Sequence, residues 1–359
     1  GIATTMQAAL EDWSNLAPRL NALSESLNAG DADGVFDLDF NALAAPLPRA
    51  YEFVDGSAYL PHVERVRRAR GAEVPESFYV DPLMYQGVSA GFYGPRDPVL
   101  VADEAFGIDL EAEVVVVTDD VPQGATPDQA AGHIQLVGLI NDVSLRNLIP
   151  AELAKGFGFL QSKPRSALSP VFVTPDELGD AWRDSKLHLP LLTHINGTWF
   201  GAPEAGVDMQ FDFAQLVAHA AKTRPLAAGT IVGSGTIAKQ NAGRSVRPIH
   251  NMAERIRTND QYLFSHIALN IRLSRHQGIH KSGTHRLNIK CRNIMDTQFF
   301  LNNTGGTGEN NIRSRGRQNN QSNILRQHTR TGHCSLGSKH CQIAGILIYC
   351  RNMACLNAS

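Results

Sequence analysis

The composition changes abruptly near Gln240, and that break limits which part of the chain can build a core. Residues 1–240 carry 16 Lys and Arg against 31 Asp and Glu, a balance of −15. Residues 241–359 carry 17 against 4, a balance of +13, and the two parts sum to the net −2 of all 359 residues. All five cysteines (Cys291, Cys334, Cys341, Cys350, Cys355) and eight of the thirteen histidines fall in the second part, and all three tryptophans (Trp13, Trp182, Trp199) in the first. The two stretches therefore have to be read separately.

Beyond Gln240 apolar periodicity fades into runs such as Ser314-Arg315-Gly316-Arg317-Gln318-Asn319-Asn320. Three readings compete. A basic Arg-Gly tail would bind phosphate backbones. A zinc module could use His333, Cys334, His340 and Cys341, although the usual pairwise ligand spacing is absent. The third reading is a frame-disturbed stretch never selected as folded protein. It fits best, because a functional disordered tail rarely carries an apolar patch such as Ile343–Tyr349. No run reaches about 18 apolar residues and no leader peptide is visible, so a cytoplasmic protein with no membrane partner is expected. The chain opens on Gly1 rather than Met, as a trimmed sequence would.

The first 240 residues carry the folding signals. Leu10, Trp13, Leu16, Leu20 and Leu23 recur at three- and four-residue steps, which predicts one helix or a pair between Met6 and Leu27. Ala45–Arg49 reads as a linker, Asp55-Gly56 as a turn, and Val63 and Val66 as a helix ending at Gly71. Strands are expected over Phe106–Val117 and His133–Ile140. A hairpin is expected around Asn196-Gly197, from Leu187–Ile195 to Thr198–Phe200. A helix over Phe213–Ala221 has Asp212 as N-cap, and Thr230–Ile237 is a Gly-broken strand or loop. Strands dominate without a βαβ rhythm, which predicts a β-rich α+β fold with antiparallel or mixed pairing and argues against a Rossmann sheet.

One cluster of residues carries chemistry. In a strand, Glu111 and Glu113 point to the same face, beside the Val114–Val117 run. Two neighbouring carboxylates there repel, and a hard divalent cation with oxygen ligands resolves the repulsion. The bland alternative is an exposed strand face. Asp142 ends an apolar strand, where a carboxylate has no packing role, or else simply forms a turn. His62 stands seven residues after Asp55, at a spacing that lets the two share a helix face. Lys163 is by default a solvated loop lysine. Together the four carboxylates, the His and the Lys suit a metal-assisted reaction on an oxygen-rich acid.

At these residues, from about Pro46 to Gln240, the chain resembles the fumarylacetoacetate hydrolase family. The resemblance is carried by Tyr51-x-x-x-Asp55-Gly-Ser-x-x-x-x-His62, Asp81-Pro-Leu-Met-Tyr85-Gln-Gly and Gly107-Ile-Asp-Leu-Glu111-Ala-Glu113-Val. It continues through Gly138-Leu-Ile-Asn-Asp142-Val-Ser-Leu-Arg146, Lys163-x-x-x-x-x-Ser169-Pro170 and Gly233-Ser234-Gly235-Thr236.

The resemblance implies a mixed β-sandwich roll, usually a homodimer. It implies that Asp55, Glu111, Glu113 and Asp142 bind Mg²⁺ or Ca²⁺, with Mn²⁺ a further choice. His62 then matches the general base that activates water. Lys163 matches a lysine near metal and substrate. Arg70 (displaced by one residue), Tyr85, Arg146 and Thr236 match substrate-binding positions. The implied reaction hydrolyses a carbon–carbon bond in a diketo or dicarboxylic acid, fumarylacetoacetate in aromatic amino-acid breakdown above all. A related acylpyruvate hydrolase, or a 2-oxo acid isomerase or decarboxylase, is the alternative; outside enzymes, the alternative is a basic-tailed nucleic-acid-binding protein. Residues 1–48 correspond to a truncated helical accessory domain and 49–359 to the catalytic domain. Two departures stand out. Ile149 replaces a family glutamine. The glutamate expected to pair with the catalytic His falls beyond Gln240, where Glu254 is the candidate.

Overall fold

In the computed structural model the described residues are 1–239, apart from 41, 70, 196 and 197, together with the two-residue strands at 269–270 and 355–356. The frame is a six-stranded mixed sheet. Its spatial order is Met84–Gln86, Phe53–Gly56, Ile231–Gly233, Ala112–Thr118, Ile134–Asn141 and Ala167–Leu168. All neighbours are antiparallel except Phe53–Gly56 and Ile231–Gly233, which run parallel. With its flanking helices this is an α+β fold, as the sequence predicts.

The valine run explains the sheet's place in the core. Val114 and Val116 enter one apolar cluster with Val54, Val137, Leu139, Leu216, Val217 and Val232. Val115 and Val117 enter a second with Phe53, Phe92, Leu136, Ile140, Phe172 and Ile231. A strand buried on both faces reads as continuous β-branched residues rather than as an alternation, because each pleat needs an apolar partner. The first face is covered by the helix Phe213–Ala220, started by a capping box between Asp212 and Gln215. The second face is covered by the expected pair of N-terminal helices, Met6–Leu10 and Trp13–Ala29. These place Met6, Leu10, Trp13 and Leu20 against Leu47, Phe53 and Val117. Among the described residues no helix is long and apolar enough to cross a membrane.

Several expectations need correction. Asp55-Gly56 is not a turn but the end of the strand Phe53–Gly56, fixed in register by Gly233 opposite Asp55. The helix that follows begins only at Leu60, so Asp55 and His62 do not share it. The Phe106–Val117 segment is broken into a 3₁₀ turn (Glu104–Phe106), a short strand (Ile108–Asp109) and Ala112–Thr118. Ala45–Arg49 connects the N-terminal helices to the sheet without helix or strand of its own, as expected, but Ala45 and Leu47 are buried in the core between them. The hairpin of Leu192–Ile195 with Thr198–Gly201 is present, while its Asn196-Gly197 tip lies outside the described residues.

Candidate active site

At one end of the sheet five carboxylates are buried close together: Asp55, Asp109, Glu111, Glu113 and Asp142. The strand ends deliver them. Asp55 is followed by the close-packed Gly56, Glu113 lies on the central strand, and Asp142 follows Asn141 at the end of its neighbour. Asp142 also returns a backbone bond to Glu111, N–H to C=O at 2.9 Å.

Two glycines make the convergence possible. A Cβ on Gly233 would stand 2.2 Å from Asp55 Oδ1 and 3.3 Å from Glu113 Oε2. Gly235 adopts φ +77°, and a Cβ there would stand 2.3 Å from the Gly56 carbonyl oxygen. The Gly235 N–H then donates to Asp55 Oδ1 at 3.0 Å.

Two cations serve this acidic group, both brought from loops beyond Asp142. The buried Lys163 ammonium donates to Glu111 Oε2 at 2.6 Å and Asp142 Oδ2 at 2.5 Å. Arg146 donates through Nε to Asp109 Oδ2 at 2.8 Å, and its Nη2 lies 2.5 Å from Glu111 Oε1. Asp142 additionally accepts from the Tyr85 hydroxyl and, at 2.7 Å, from the Ser166 hydroxyl. The Ser144 hydroxyl donates to Glu111 at 3.0 Å. The Tyr85 ring lies 5.2 Å from Lys163 Nζ and meets Phe159 edge to face.

The electrostatics follow from this pairing. Burial works against ionisation of Glu111, yet Lys163 and Arg146 outweigh it and hold the carboxyl below its ordinary range. Burial, then the charge of Asp142, raises Asp55 to about 8. Burial, then Asp55 and Asp142, pushes Glu113 well above the carboxylate range. Burial lifts Asp109 to about 6 in spite of Arg146. Burial would lower Lys163, but Asp142 and Glu111 reverse that and keep the ammonium charged.

Glu113 is fully buried and no N–H or hydroxyl donor reaches its carboxylate; its close polar neighbour is the Asp55 carboxyl, with which it can share a hydrogen bond only while one of the two is protonated. Ligand oxygens of Asp55, Glu113 and Asp142 all lie within 4.8 Å of one another. An orphaned buried carboxylate flanked by two more is costly unless protonated or bound to a cation. The donor set is all oxygen, so the residues fit a hard divalent ion. The expected ligands Asp55, Glu113 and Asp142 thus come together. Glu111 stands beside them, turned to Lys163 and Arg146 rather than grouped with the three.

Of the other expected site residues, His62 is half-buried near the start of the helix Leu60–Ala69, close enough for its charge to act on Glu111. Tyr85 and Lys163 lie inside the cluster, and Thr236 is buried just beyond Gly235. Arg146 is largely committed to Asp109 and Glu111, with 21% of its side chain exposed. Arg70 and Glu254 lie outside the described residues. Ile149 is buried at the start of a short helix. Sequence reasoning missed Asp109, Ser144 and Ser166. Asp109 had a signal, since Asp109-x-Glu111 repeats the two-residue step of Glu111-x-Glu113.

Comparison with known proteins matches residues 52–265 to the fumarylacetoacetate (FAA) hydrolase C-terminal family and residues 1–49 to the fumarylacetoacetase N-terminal domain 2. A curated relative, 2,4-didehydro-3-deoxy-L-rhamnonate hydrolase of Sphingomonas sp. (strain SKA58), is 27% identical over 173 residues, 47% of this chain and 58% of that one. An uncharacterized protein of Archaeoglobus fulgidus is 26% identical over 181 residues, 50% of this chain and 65% of that one. The match thus spans less than two thirds of either relative. Among solved structures, fumarylacetoacetate hydrolase from Exiguobacterium antarcticum aligns with a TM-score of 0.44 at 19% identity, covering 64% of this chain and 73% of that one. The 5-carboxymethyl-2-hydroxymuconate delta-isomerase of Mycobacterium smegmatis aligns with a TM-score of 0.45 at 19% identity, covering 72% and 80%.

Proposed function

Because this chain belongs to the fumarylacetoacetate hydrolase family, we propose that it hydrolyses a carbon–carbon bond in a 1,3-dicarbonyl acid, fumarylacetoacetate or a related acylpyruvate. The observation that carries this reading is the unpartnered, fully buried Glu113 between Asp55 and Asp142, with an ammonium beside them. The hydrolase name of the Sphingomonas relative supports hydrolysis over isomerisation.

Asp55, Glu113 and Asp142 would hold Mg²⁺, Ca²⁺ or Mn²⁺, with Glu111 adjoining. When bound, the ion supplies Lewis-acid polarisation of the dicarbonyl oxygens. The protein's own side chains then divide the remaining work. His62 takes a proton from water as its oxygen attacks the ketone carbon. The bond between that carbon and the neighbouring CH₂ breaks, and its electron pair stays with the leaving carbon, which later takes up a proton. An acid and a methyl ketone result. Lys163, held between Glu111 and Asp142, presents fixed positive charge where oxygen charge develops. Arg146, anchored by Asp109, offers its exposed edge to a substrate carboxylate. Burial, then Asp142 and Asp55, holds the Tyr85 phenol neutral, so its hydroxyl stays a donor to Asp142. The family's dimeric habit makes a homodimer the expected assembly.

The test is loss of enol absorbance from fumarylacetoacetate and a panel of acylpyruvates, with Mg²⁺ or Mn²⁺ and with chelator. Metal-dependent loss with one acid released per substrate is expected. Binding of Mn²⁺ without turnover of any such acid would contradict the proposal.

A further inference from the structure

Lys163 sits at the end of a stretch that the core does not hold. Residues 153–161 are exposed, with Phe157 at 99% and Leu160 at 78%, and only Phe159 is partly buried. Yet the next two residues, Ser162 and Lys163, are buried at 0% and 5% exposure, and the ammonium is placed to 2.5–2.6 Å on two carboxylates. Apart from the Phe159 ring set edge to face on Tyr85, apolar packing does not hold that turn.

Glu152, on the short helix Ile149–Leu153, is buried and lies outside the carboxylate cluster. Its carboxylate accepts from the backbone N–H groups of Leu160 (3.1 and 3.2 Å), Gln161 (2.6 Å) and Ser162 (3.0 Å), and from the Ser162 hydroxyl. One anion thus gathers every N–H of the turn that leads into Lys163. The Ser162 carbonyl in turn accepts from the Leu145 N–H at 2.8 Å. Burial opposes ionisation of Glu152, but the Ser162 hydroxyl and the backbone amides outweigh it and hold the carboxyl at about 2.

We propose that Glu152 is a positioning residue: its carboxylate clamps the 160–162 turn and thereby aims the Lys163 ammonium between Glu111 and Asp142. The catalytic consequence rests on the function proposed above, whereas the clamp itself does not. Charge-assisted bonds are about twice as strong as neutral ones, and Glu152→Gln replaces one acceptor oxygen by an NH₂ that faces N–H donors.

The whole 359-residue chain and its E152Q variant are acylated with N-hydroxysuccinimidyl acetate, and each lysine is quantified by peptide mass spectrometry. Lys186, which donates to the Met209 carbonyl at 2.9 Å, serves as the control. E152Q should raise Lys163 acylation by about tenfold or more, the loss expected from a charge-assisted bond, with Lys186 unchanged. Unchanged Lys163 acylation would overturn the proposal. An equal rise at Lys186 would mean general loosening and would overturn it too. Where turnover is measurable, E152Q should lower kcat with KM little changed, and should have no further effect in a Lys163→Met background. An additive loss there would also refute the clamp. If the parent turns over nothing, the function proposal fails while the acylation result still decides the clamp.

Discussion

Replacing Glu113 by glutamine probes the site at its most exposed assumption. Glu113 is fully buried, and no N–H or hydroxyl donor reaches its carboxylate. Without a cation, burial and then the charges of Asp55, Asp142 and Glu111 push its carboxyl well above the ordinary range and so favour the neutral form. A neutral isostere should therefore change stability by less than about 1 kcal/mol in chelator. With a cation bound, the loss is an anionic ligand. Two unit charges 4 Å apart attract by about 4 kcal/mol at an effective dielectric of 20, so a divalent ion gains about 8. Release of the carboxyl proton and removal of hydration take back roughly half, leaving about 3–4 kcal/mol, or 10²–10³-fold in Kd. Titration calorimetry with Mn²⁺ reads this directly, and the Mn²⁺-induced rise in Tm should vanish with it. Glu113→Gln binding Mn²⁺ within about threefold of the parent, or unfolding in chelator, would refute the reasoning.

Other outcomes follow from the same arrangement. Asp55 keeps its proton up to about 8 in the folded state against an ordinary 3.8, so the folded state holds a proton that the unfolded chain has released. The cation-free protein should therefore lose stability as pH rises from about 4 to about 8, by up to about 1.4 kcal/mol per unit. Denaturation midpoints across that window should fall in chelator and stay level in excess Mn²⁺; a rise in chelator would contradict the assignment. His62→Ala should cut turnover by roughly 10²–10⁴-fold and leave Mn²⁺ affinity nearly unchanged, which kinetics and calorimetry check together. A matching loss of affinity would make His62 a ligand instead. In the core, Gly138→Ala should cost at least about 1–3 kcal/mol in urea denaturation. Its Cβ would stand 1.9 Å from the Phe172 ring, and Phe172→Leu should recover part of the loss.

What the sequence disclosed followed the range of the interactions involved. The four-valine run and the Asp212 cap are local signals, and both elements formed where those signals stand. Asp-Gly is also a local signal, but at Asp55-Gly56 it was overridden. Parallel pairing with Ile231–Gly233 and packing of Gly56 against Leu216 hold that dipeptide extended. The i, i+2 step put Glu111 and Glu113 side by side, but the strand begins only at Ala112. That step could not show that Glu111 pairs with Lys163, 52 residues away, while Glu113 is left beside the Asp55 and Asp142 carboxylates. Ser166 and Glu152 escaped for the same reason, since each acts on a partner that only the folded chain brings near, whereas Asp109 carried a local signal in its two-residue step to Glu111. The basic stretch beyond Gln240, with Glu254 in it, lies almost wholly outside the described residues, so its reading stays compositional.

The account stands or falls on one cation held by Asp55, Glu113 and Asp142. The direct measurement is an anomalous difference map from crystals grown with Mn²⁺, collected at a wavelength sensitive to manganese. The account predicts a single strong peak with oxygens of all three carboxylates about 2.0–2.6 Å away. Lys163 would remain against Asp142 and His62 would stay outside the ligand set. A peak elsewhere, or none with Glu113 still unpartnered at saturating Mn²⁺, would contradict it.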